Sequence, residues 1–241
     1  MNIALIGYGK MGKTIEKVAL KKGHQIISRV QKDNWAAFEK TDPSSIDVAI
    51  EFSQPEAAVA NISKCLLLGI PVISGTTGWL AQIDKIENLC TEHNGTFFYA
   101  SNFSIGVNIF FEINELVAKM MDKFPEYRVQ MEEIHHIHKK DSPSGTALTL
   151  AEGIIDNHKT TNEWVETDDK SSVKPEQLPI KSIRQNEVPG THSIHYSSTA
   201  DSITIQHEAH STEGFALGAV LVAEWILNKK GILSMKDFMQ Q

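Results

Sequence analysis

The amino-acid sequence predicts an α/β fold, in which an open parallel-sheet domain is joined to a central α+β domain with a mixed sheet. The first observation is a regular alternation of short apolar strands and amphipathic helices up to about residue 104, which is typical of a parallel sheet. The second is a change of period beyond residue 105, where a long helix leads into alternating segments. A broadly apolar helix at 215–227 could return to the first domain. We therefore expect one domain from residues 1–104 and 213–241, and a second from 105–212.

The N-terminal elements follow in order. Asn2–Ile6 is predicted as a buried strand, followed by a helix at about 13–22 that Gly23 ends. A helix after Pro55 is predicted to begin with a capping box of Ser53 and Glu56. Another helix ends near residue 93. The remaining predicted strands are Gln25–Val30, 47–52, Val72–Ser74 and 96–100.

The second domain is predicted to begin with a helix at about 107–122. Four alternating segments then indicate strands that form a mostly antiparallel or mixed sheet. The polar, weakly patterned stretch 159–179 reads as a long surface loop. The four segments are 127–134, 180–185, 192–198 and 203–209.

Composition limits the class of function. The formal charge of −7 argues against a surface built for nucleic acid or anionic membrane, so any anion site must be a local basic pocket. Cys65 and Cys90 are too far apart for a CxxC motif, and we expect both to be buried and reduced. The N-terminus lacks a signal-peptide pattern and no apolar run reaches transmembrane length, which predicts a cytoplasmic protein.

A glycine-rich turn predicts a dinucleotide site. Gly7, Gly9 and Gly12 form GxGxxG between a strand and a helix, where a backbone can approach a pyrophosphate at the helix N-terminus. The first domain is therefore predicted to be Rossmann-type. Two further loops follow the fourth and fifth strands, at the sheet edge where such ligands bind. The other candidate cofactor-binding residues in these three loops are Tyr8, Lys10, Met11, Gly75, Thr76, Thr77, Ala100, Ser101, Asn102 and Phe103.

The end of the second strand predicts the choice between cofactors. An acidic residue there accepts from a ribose 2′-hydroxyl, whereas a basic one pairs with a 2′-phosphate. Gln31 and Lys32 stand at this place and Asp33 follows one position later. Lys32, with Arg29 nearby, favours NADPH, and NADH is the second expected donor. For Arg29 alone, a solvated surface charge is the simpler interpretation.

The stretch EEIHHIHKKDSPSGTAL, from Glu132 to Leu148, predicts a substrate site. Histidines exchange protons near neutral pH, and lysines attract a polyanionic substrate. Ser144, Gly145 and Thr146 open a new helix, whose free N–H groups would hold a carboxylate. The HHxH pattern also invites a zinc reading. On a strand, His136 and His138 would share one face and His135 the other, and the lysines would repel a dication, so we predict no metal.

These motifs together resemble the 4-hydroxy-tetrahydrodipicolinate reductase (dihydrodipicolinate reductase) family over essentially the whole chain. The matching pieces are GYGKMG, GTTG, ASNFSIGVN and EIHHIHKKDSPSGTA. The last of them fits the family pattern E-x-H-H-x-x-K-x-D-x-P-S-G-T. The resemblance implies a cofactor of NADPH or NADH, a cyclic imine dicarboxylate as substrate, and a homotetramer built by the central domain.

The resemblance also implies roles for individual residues. The family's catalytic histidine and lysine fall on His135 and Lys139, and its substrate contacts on His136, Gly145 and Thr146. Three positions depart from the family pattern. Ser142 replaces a usual alanine, Lys10 replaces an arginine and so loses its planar fork, and Thr212 stands where an arginine is frequent.

Two other functions remain open from the sequence. Another NAD(P)-dependent imino- or amino-acid dehydrogenase would share the glycine loop and a Lys/His pair, although HHxxKxDxPSGT argues against it. A non-catalytic dinucleotide sensor would share the fold but would tolerate the loss of His135 and Lys139, because fold alone does not determine function.

Overall fold

The structure, a computed structural model, describes residues 1–31, 34–38, 40–168 and 172–240. The chain divides into two compact units. One unit is formed by Met1–Ile105 with Glu213–Gln241, and the other by Gly106–Thr212. No helix among the described residues is long and apolar enough to cross a membrane.

The first unit contains a six-stranded parallel sheet in the order β11-β5-β4-β3-β1-β2. Its inner strands are apolar and buried on both faces, as expected for a parallel sheet covered on each side by helices. The strands are β1 Asn2–Ile6, β2 Gln25–Val30, β3 Val48–Glu51, β4 Val72–Ser74, β5 Thr96–Tyr99 and β11 Gly231–Ser234. The helices are α1 Lys10–Lys21, α2 Trp35–Phe38, α3 Pro55–Leu67, α4 Ile83–Glu92, α7 Glu213–Trp225 and α8 Met235–Met239.

Helices cover both faces of this sheet. On one face, Ile15 of α1 and Val220 of α7 pack in a common cluster with Leu5 of β1. On the other, Ile62 of α3 and Ile86 of α4 pack in a second cluster. The predicted return of the last long helix to this sheet is therefore correct. Cys65 and Cys90 are buried and unpaired, as expected.

Three local predictions for this unit need correction. The sheet has a sixth strand, β11, which the sequence did not reveal because it is only four residues long and half exposed. Helix α1 begins at Lys10, three residues earlier than expected. The predicted capping box is wrong: the N-cap of α3 is Gln54, without a side-chain cap, because the Ser53 hydroxyl donates to Glu51 instead.

The second unit contains a five-stranded mixed sheet in the order β10-β9-β6-β8-β7. Strand β6 pairs antiparallel with β9 and parallel with β8. Helices α5 and α6 supply Phe110 and Leu150 to a core shared with Met131 and Ile194. The strands are β6 Arg128–His135, β7 Glu163–Glu166, β8 Gln177–Arg184, β9 Gly190–Ser197 and β10 Ser202–Ala209, and the helices are α5 Ile105–Met121 and α6 Gly145–Ile155.

The mixed sheet agrees with the expectation, but the long surface loop at 159–179 does not. This stretch contains β7, which pairs in parallel with β8. Its strand character is weak in the sequence because β7 is short and mostly exposed, so no apolar alternation marks it.

Candidate active site

The glycine turn of the first unit has the geometry of a nucleotide loop. Gly7 has φ +95°, and a Cβ there would lie 2.0 Å from the backbone oxygen of Phe52. A Cβ on Gly12 would lie 2.3 Å from the oxygen of Gly7, so this position sets the close approach of α1 to the turn. A Cβ on Gly9 would meet nothing within 4 Å. Gly9 therefore faces open space at the N-cap of α1, where a pyrophosphate would bind.

A cavity of about 1060 Å³ lies along the carboxyl edge of this sheet. It is lined by the glycine turn from Gly7 to Met11, by Gln31 after β2, and by the loop Gly75, Thr76 and Thr77 after β4. Its place agrees with the rule that open parallel sheets bind ligands beyond the carboxyl ends of their strands. The residues present therefore fit a dinucleotide.

The predicted cofactor residues after β5 have different surroundings. Ala100 and Phe103 are buried in the core, where the backbone of Phe103 packs closely against Gly218. The side-chain oxygen of Asn102 accepts a hydrogen bond from the amide of Ser104. Ser101 is exposed. These four residues are not among those that line the cavity, but the ring of Phe103 packs on that of Phe52, which is. Their contact with the cofactor stays a prediction.

The basic residues at the ribose end differ in their surroundings. Arg29 forms a close ion pair with Glu16, which also accepts a hydrogen bond from Tyr8. This pairing lowers the pKa of Glu16 and raises that of Arg29. The positive charge of the Arg29 guanidinium is therefore already balanced by a carboxylate within the fold. Lys32, the residue predicted to select the cofactor, lies outside the described residues, as does Asp33.

A buried carboxylate lies beneath the loops of the cavity. Glu51, at the end of β3, accepts hydrogen bonds from the hydroxyls of Ser53, Ser74 and Thr76. The hydroxyl oxygen of Thr76 also accepts from the backbone amide of Ser53. Glu51 thus ties the exits of β3 and β4 together. It fixes the conformation of two loops that line the cavity.

In the second unit, one buried face of strand β6 is apolar in its N-terminal half and polar at its C-terminal end. Met131, Glu133 and His135 are buried on one face of the strand. Met131 belongs to the apolar core, whereas Glu133 and His135 end the strand beside the N-terminus of α6. Nδ1 of His135 lies 3.2 Å from Oε2 of Glu133.

The remaining members of this polar cluster come from β8 and β9. The guanidinium of Arg184 donates to Oε1 of Glu133 at 3.1 Å. His192 lies directly opposite Glu133 in the antiparallel pairing, and its Nε2 is 3.0 Å from the hydroxyl of Ser144. Burial is the main cause that lowers the pKa of His192 to about 3, so its imidazole is neutral near pH 7.

The N-terminus of α6 is prepared to hold an anion. Ser144 is the N-cap, and its hydroxyl accepts from the amide of Ala147. A Cβ on Gly145 would meet nothing within 4 Å, so this turn of the helix is open. The positive end of the helix dipole and the amides of the first turn favour a carboxylate there.

The remaining histidines and lysines of the motif lie in the loop between β6 and α6. Lys139 Nζ lies 2.8 Å from Oδ2 of Asp141, an ion pair that lowers the pKa of Asp141 although burial opposes the shift. The strand ends at His135, so His136 and His138 do not lie on it and the argument from opposite strand faces does not apply to them. They belong to a turn in which the amide of Lys139 donates to the carbonyl of His136.

Glu133, His135 and His192 offer ligand atoms within 4.8 Å of one another, a spacing that a metal ion could bridge. The carboxylate of Glu133 already accepts from the Ser144 amide and from Arg184. A guanidinium at 3.1 Å would repel a dication, so we interpret the cluster as a proton and ion-pair network.

A dinucleotide-type crevice in one unit, with a histidine, a lysine and an anion-binding helix end in the other, defines a nicotinamide-dependent oxidoreductase. Comparison with known proteins specifies it further. The family model for the N-terminus of dihydrodipicolinate reductase matches residues 1–103, and that for its C-terminus matches residues 106–239. The chain belongs to the dihydrodipicolinate reductase family.

Individual relatives agree over the full length. The 4-hydroxy-tetrahydrodipicolinate reductase of Christiangramia forsetii is 46% identical, over 98% of this chain and 97% of the relative. That of Archaeoglobus fulgidus is 35% identical, over 100% of both chains. Among solved structures, dipicolinate-bound dihydrodipicolinate reductase from Paenisporosarcina sp. TG-14 has a TM-score of 0.79 at 20% identity and covers 97% of each chain. The last similarity supports the fold.

Sequence reasoning did not assign a role to Glu133, Arg184 or His192. Glu133 was visible as the first letter of the E-x-H-H pattern. Arg184 and His192 are 51 and 59 positions away from it, and only the pairing of β8 and β9 with β6 brings them to the site. Glu51 was hidden for a different reason, since it resembles the end of an ordinary buried strand.

Proposed function

We propose that this protein reduces 4-hydroxy-tetrahydrodipicolinate, through dihydrodipicolinate, to tetrahydrodipicolinate in the diaminopimelate route of lysine biosynthesis. Loss of water gives the conjugated cyclic imine, and addition of a hydride and a proton saturates one double bond. NAD(P)H bound by the first unit supplies the hydride. The residues of the second unit hold the dicarboxylate and move the proton.

We propose a role for each site residue of the second unit. His135 is the proton donor and acceptor, and Lys139 is a proton donor whose ammonium also attracts the dianion. The open first turn of α6, at Gly145 and Thr146, binds one carboxylate of the substrate, with His136 as a further contact. The observation that carries the proposal is the end of β6, where Glu133 contacts both His135 and Ser144, the N-cap of this helix.

The decisive assay follows the near-ultraviolet absorbance of NADPH while the preceding synthase generates substrate from pyruvate and aspartate semialdehyde. Synthase-dependent oxidation is the expected result. His135→Gln should lower kcat by roughly 10²–10⁴-fold, the usual share of a positioned general acid or base. His138→Gln is the matched control, because His138 is largely exposed. Unchanged turnover in His135→Gln would exclude this role.

Two competing functions predict other outcomes in the same assay. Tight NADPH binding without synthase-dependent turnover would favour a dehydrogenase for another imino or amino acid, and a panel of such substrates would identify it. A non-catalytic dinucleotide sensor would bind NADPH and turn over none of them.

We propose that either NADPH or NADH serves as the donor, with NADPH favoured through Lys32. The ion pair of Arg29 with Glu16 leaves Lys32 as the residue expected to contact the 2′-phosphate. The two unpaired cysteines fit the reducing environment of the cytoplasm, where we place the protein.

We propose further that the chain forms a homotetramer through its second unit, as the family resemblance implies. Helix α5 and the turn after it expose an apolar stripe at helical spacing, which supports self-association. Leu116→Glu on this stripe should lower the mass measured by light scattering, whereas Leu20→Glu, at an isolated exposed leucine of α1, should not. A tetramer that survives Leu116→Glu would exclude this surface. The stripe consists of Ile109, Ile113, Leu116, Met120 and Phe124.

A further inference from the structure

We infer that Glu133 is a positioning residue, which orients the imidazole of His135 and fixes it relative to the anion-binding end of α6. This inference rests on the proposed function of His135. Glu133 has no exposed surface and therefore acts through its neighbours. Its two carboxylate oxygens serve different partners.

One oxygen holds the helix end. Oε1 accepts from the backbone amide of Ser144, the N-cap of α6, and from Arg184, each at 3.1 Å. The same guanidinium nitrogen of Arg184 donates to the carbonyl of Asp141 at 2.6 Å. Glu133 and Arg184 together therefore tie the loop before α6 to strands β6 and β8.

The other oxygen faces the imidazole. Oε2 lies 3.2 Å from Nδ1 of His135 and 3.7 Å from Nε2 of His192. A carboxylate is only an acceptor, so it favours the tautomer of His135 that carries its proton on Nδ1. Nε2 is then the atom left to exchange a proton with the substrate.

The carboxylate of Glu133 is charged near neutral pH. Burial raises its pKa, but the contacts with His135, Ser144 and Arg184 outweigh burial and lower the pKa of Glu133 to about 2. His192 is neutral and adds no charge of its own. The negative charge facing His135 from the neighbouring strands is therefore that of Glu133, with Arg184 as its cation.

The side of His135 away from Glu133 is kept clear by a glycine. A Cβ on Gly190, the first residue of β9, would lie 2.9 Å from Nε2 of His135. Nδ1 thus lies against the carboxylate of Glu133, while Nε2 lies against the backbone of Gly190, a position without a side chain. Both features point to Nε2 as the reactive nitrogen.

Glu133→Gln removes the negative charge and keeps the shape of the side chain. The backbone amide of Ser144 and the guanidinium of Arg184 both donate toward Oε1, so the oxygen of a glutamine must take that place. Its NH₂ group then faces Nδ1 of His135, which can only accept from it. The substitution should keep the helix end in place and move the imidazole proton to Nε2.

The test combines kinetics with nitrogen-15 NMR of the imidazoles at pH 9, where unperturbed histidines are neutral. The His135 resonance is assigned by its loss in His135→Gln. The expected wild-type tautomer carries Nδ1–H, and Glu133→Gln should carry Nε2–H. In turnover, Glu133→Gln should lower kcat by about 100-fold with less than about a fivefold change in substrate KM. Glu132→Gln, the adjacent residue on the other face of β6, should leave both within about twofold.

Each result decides the inference. An unchanged His135 tautomer in Glu133→Gln, or a kcat within threefold of wild type, would overturn it. If Glu133→Gln does not fold, Glu133→Asp retains the charge and should keep Nδ1–H, and an Nε2–H form there would contradict the inference. A wild-type protein without turnover would refute the proposed function alone, because the tautomer measurement does not depend on it.

Discussion

Mild acid should destabilise the second unit through His192. This imidazole is buried, and burial holds its pKa at about 3, compared with 6.5 when exposed. At mildly acidic pH, His192 therefore binds a proton in the unfolded chain but not in the folded chain. The stability that His192 contributes is complete above about pH 6.5 and is lost as the pH falls toward 3.

The magnitude follows from the same difference. A pH of 5 lies about 1.5 units below the pKa of the imidazole in the unfolded chain. The free energy of unfolding should therefore be about 2 kcal/mol lower at pH 5 than at pH 7.5. At pH 3, where the folded imidazole is itself half protonated, the loss would reach about 4 kcal/mol. Glu133 adds little at pH 5, because its stability is lost only between the usual glutamate pKa and about 2.

The assay is urea denaturation at pH 7.5 and pH 5, followed by circular dichroism. His192→Gln should lose about 2 kcal/mol less between the two pH values than wild type, whatever its stability at pH 7.5. His195→Gln is the matched control, since His195 lies on the other face of β9 and contacts Thr204. An equal pH-dependent loss in wild type and His192→Gln would refute the reasoning.

The remaining predictions concern the nucleotide loop and the cofactor. Gly7→Ala should destabilise the first unit by more than about 2 kcal/mol in denaturation, because its Cβ would clash with Phe52. Gly9→Ala should fold with wild-type stability but bind NADPH more weakly in a fluorescence titration, because its Cβ enters the space left for the pyrophosphate; wild-type binding would place the pyrophosphate elsewhere. Lys32→Ala should weaken NADPH more than NADH, with Lys17→Ala on the exposed face of α1 as control; equal loss of both cofactors would move the 2′-phosphate contact to another residue.

The elements with strong local patterns could be predicted from the sequence. Strands β1, β2 and β4 have the predicted bounds, because short apolar runs in β1 and β4 and an alternating pattern in β2 stand between glycines and polar turns. Short elements without such a run could not be found. Strand β7 is mostly exposed, and β11 is stabilised by pairing with β5, more than 130 positions earlier.

The same distinction holds for the site. His135, Lys139 and the α6 N-terminus lie within twelve residues and form one readable motif. His192 reaches Glu133 only through the register of β9 against β6, which no local pattern encodes. The loop Ala100 to Phe103 follows a strand, which predicts a ligand contact, and the structure adds that the side chains of Ala100 and Phe103 pack into the core.

The position of α7 in the chain has a consequence for synthesis. Its buried residues Ala219, Val220 and Ala223 complete the core on one face of the first sheet, and β11 then adds the outermost strand. A ribosome releases these elements only after the whole second unit has emerged. The apolar face of the first sheet that α7 covers therefore stays exposed during synthesis until α7 has emerged.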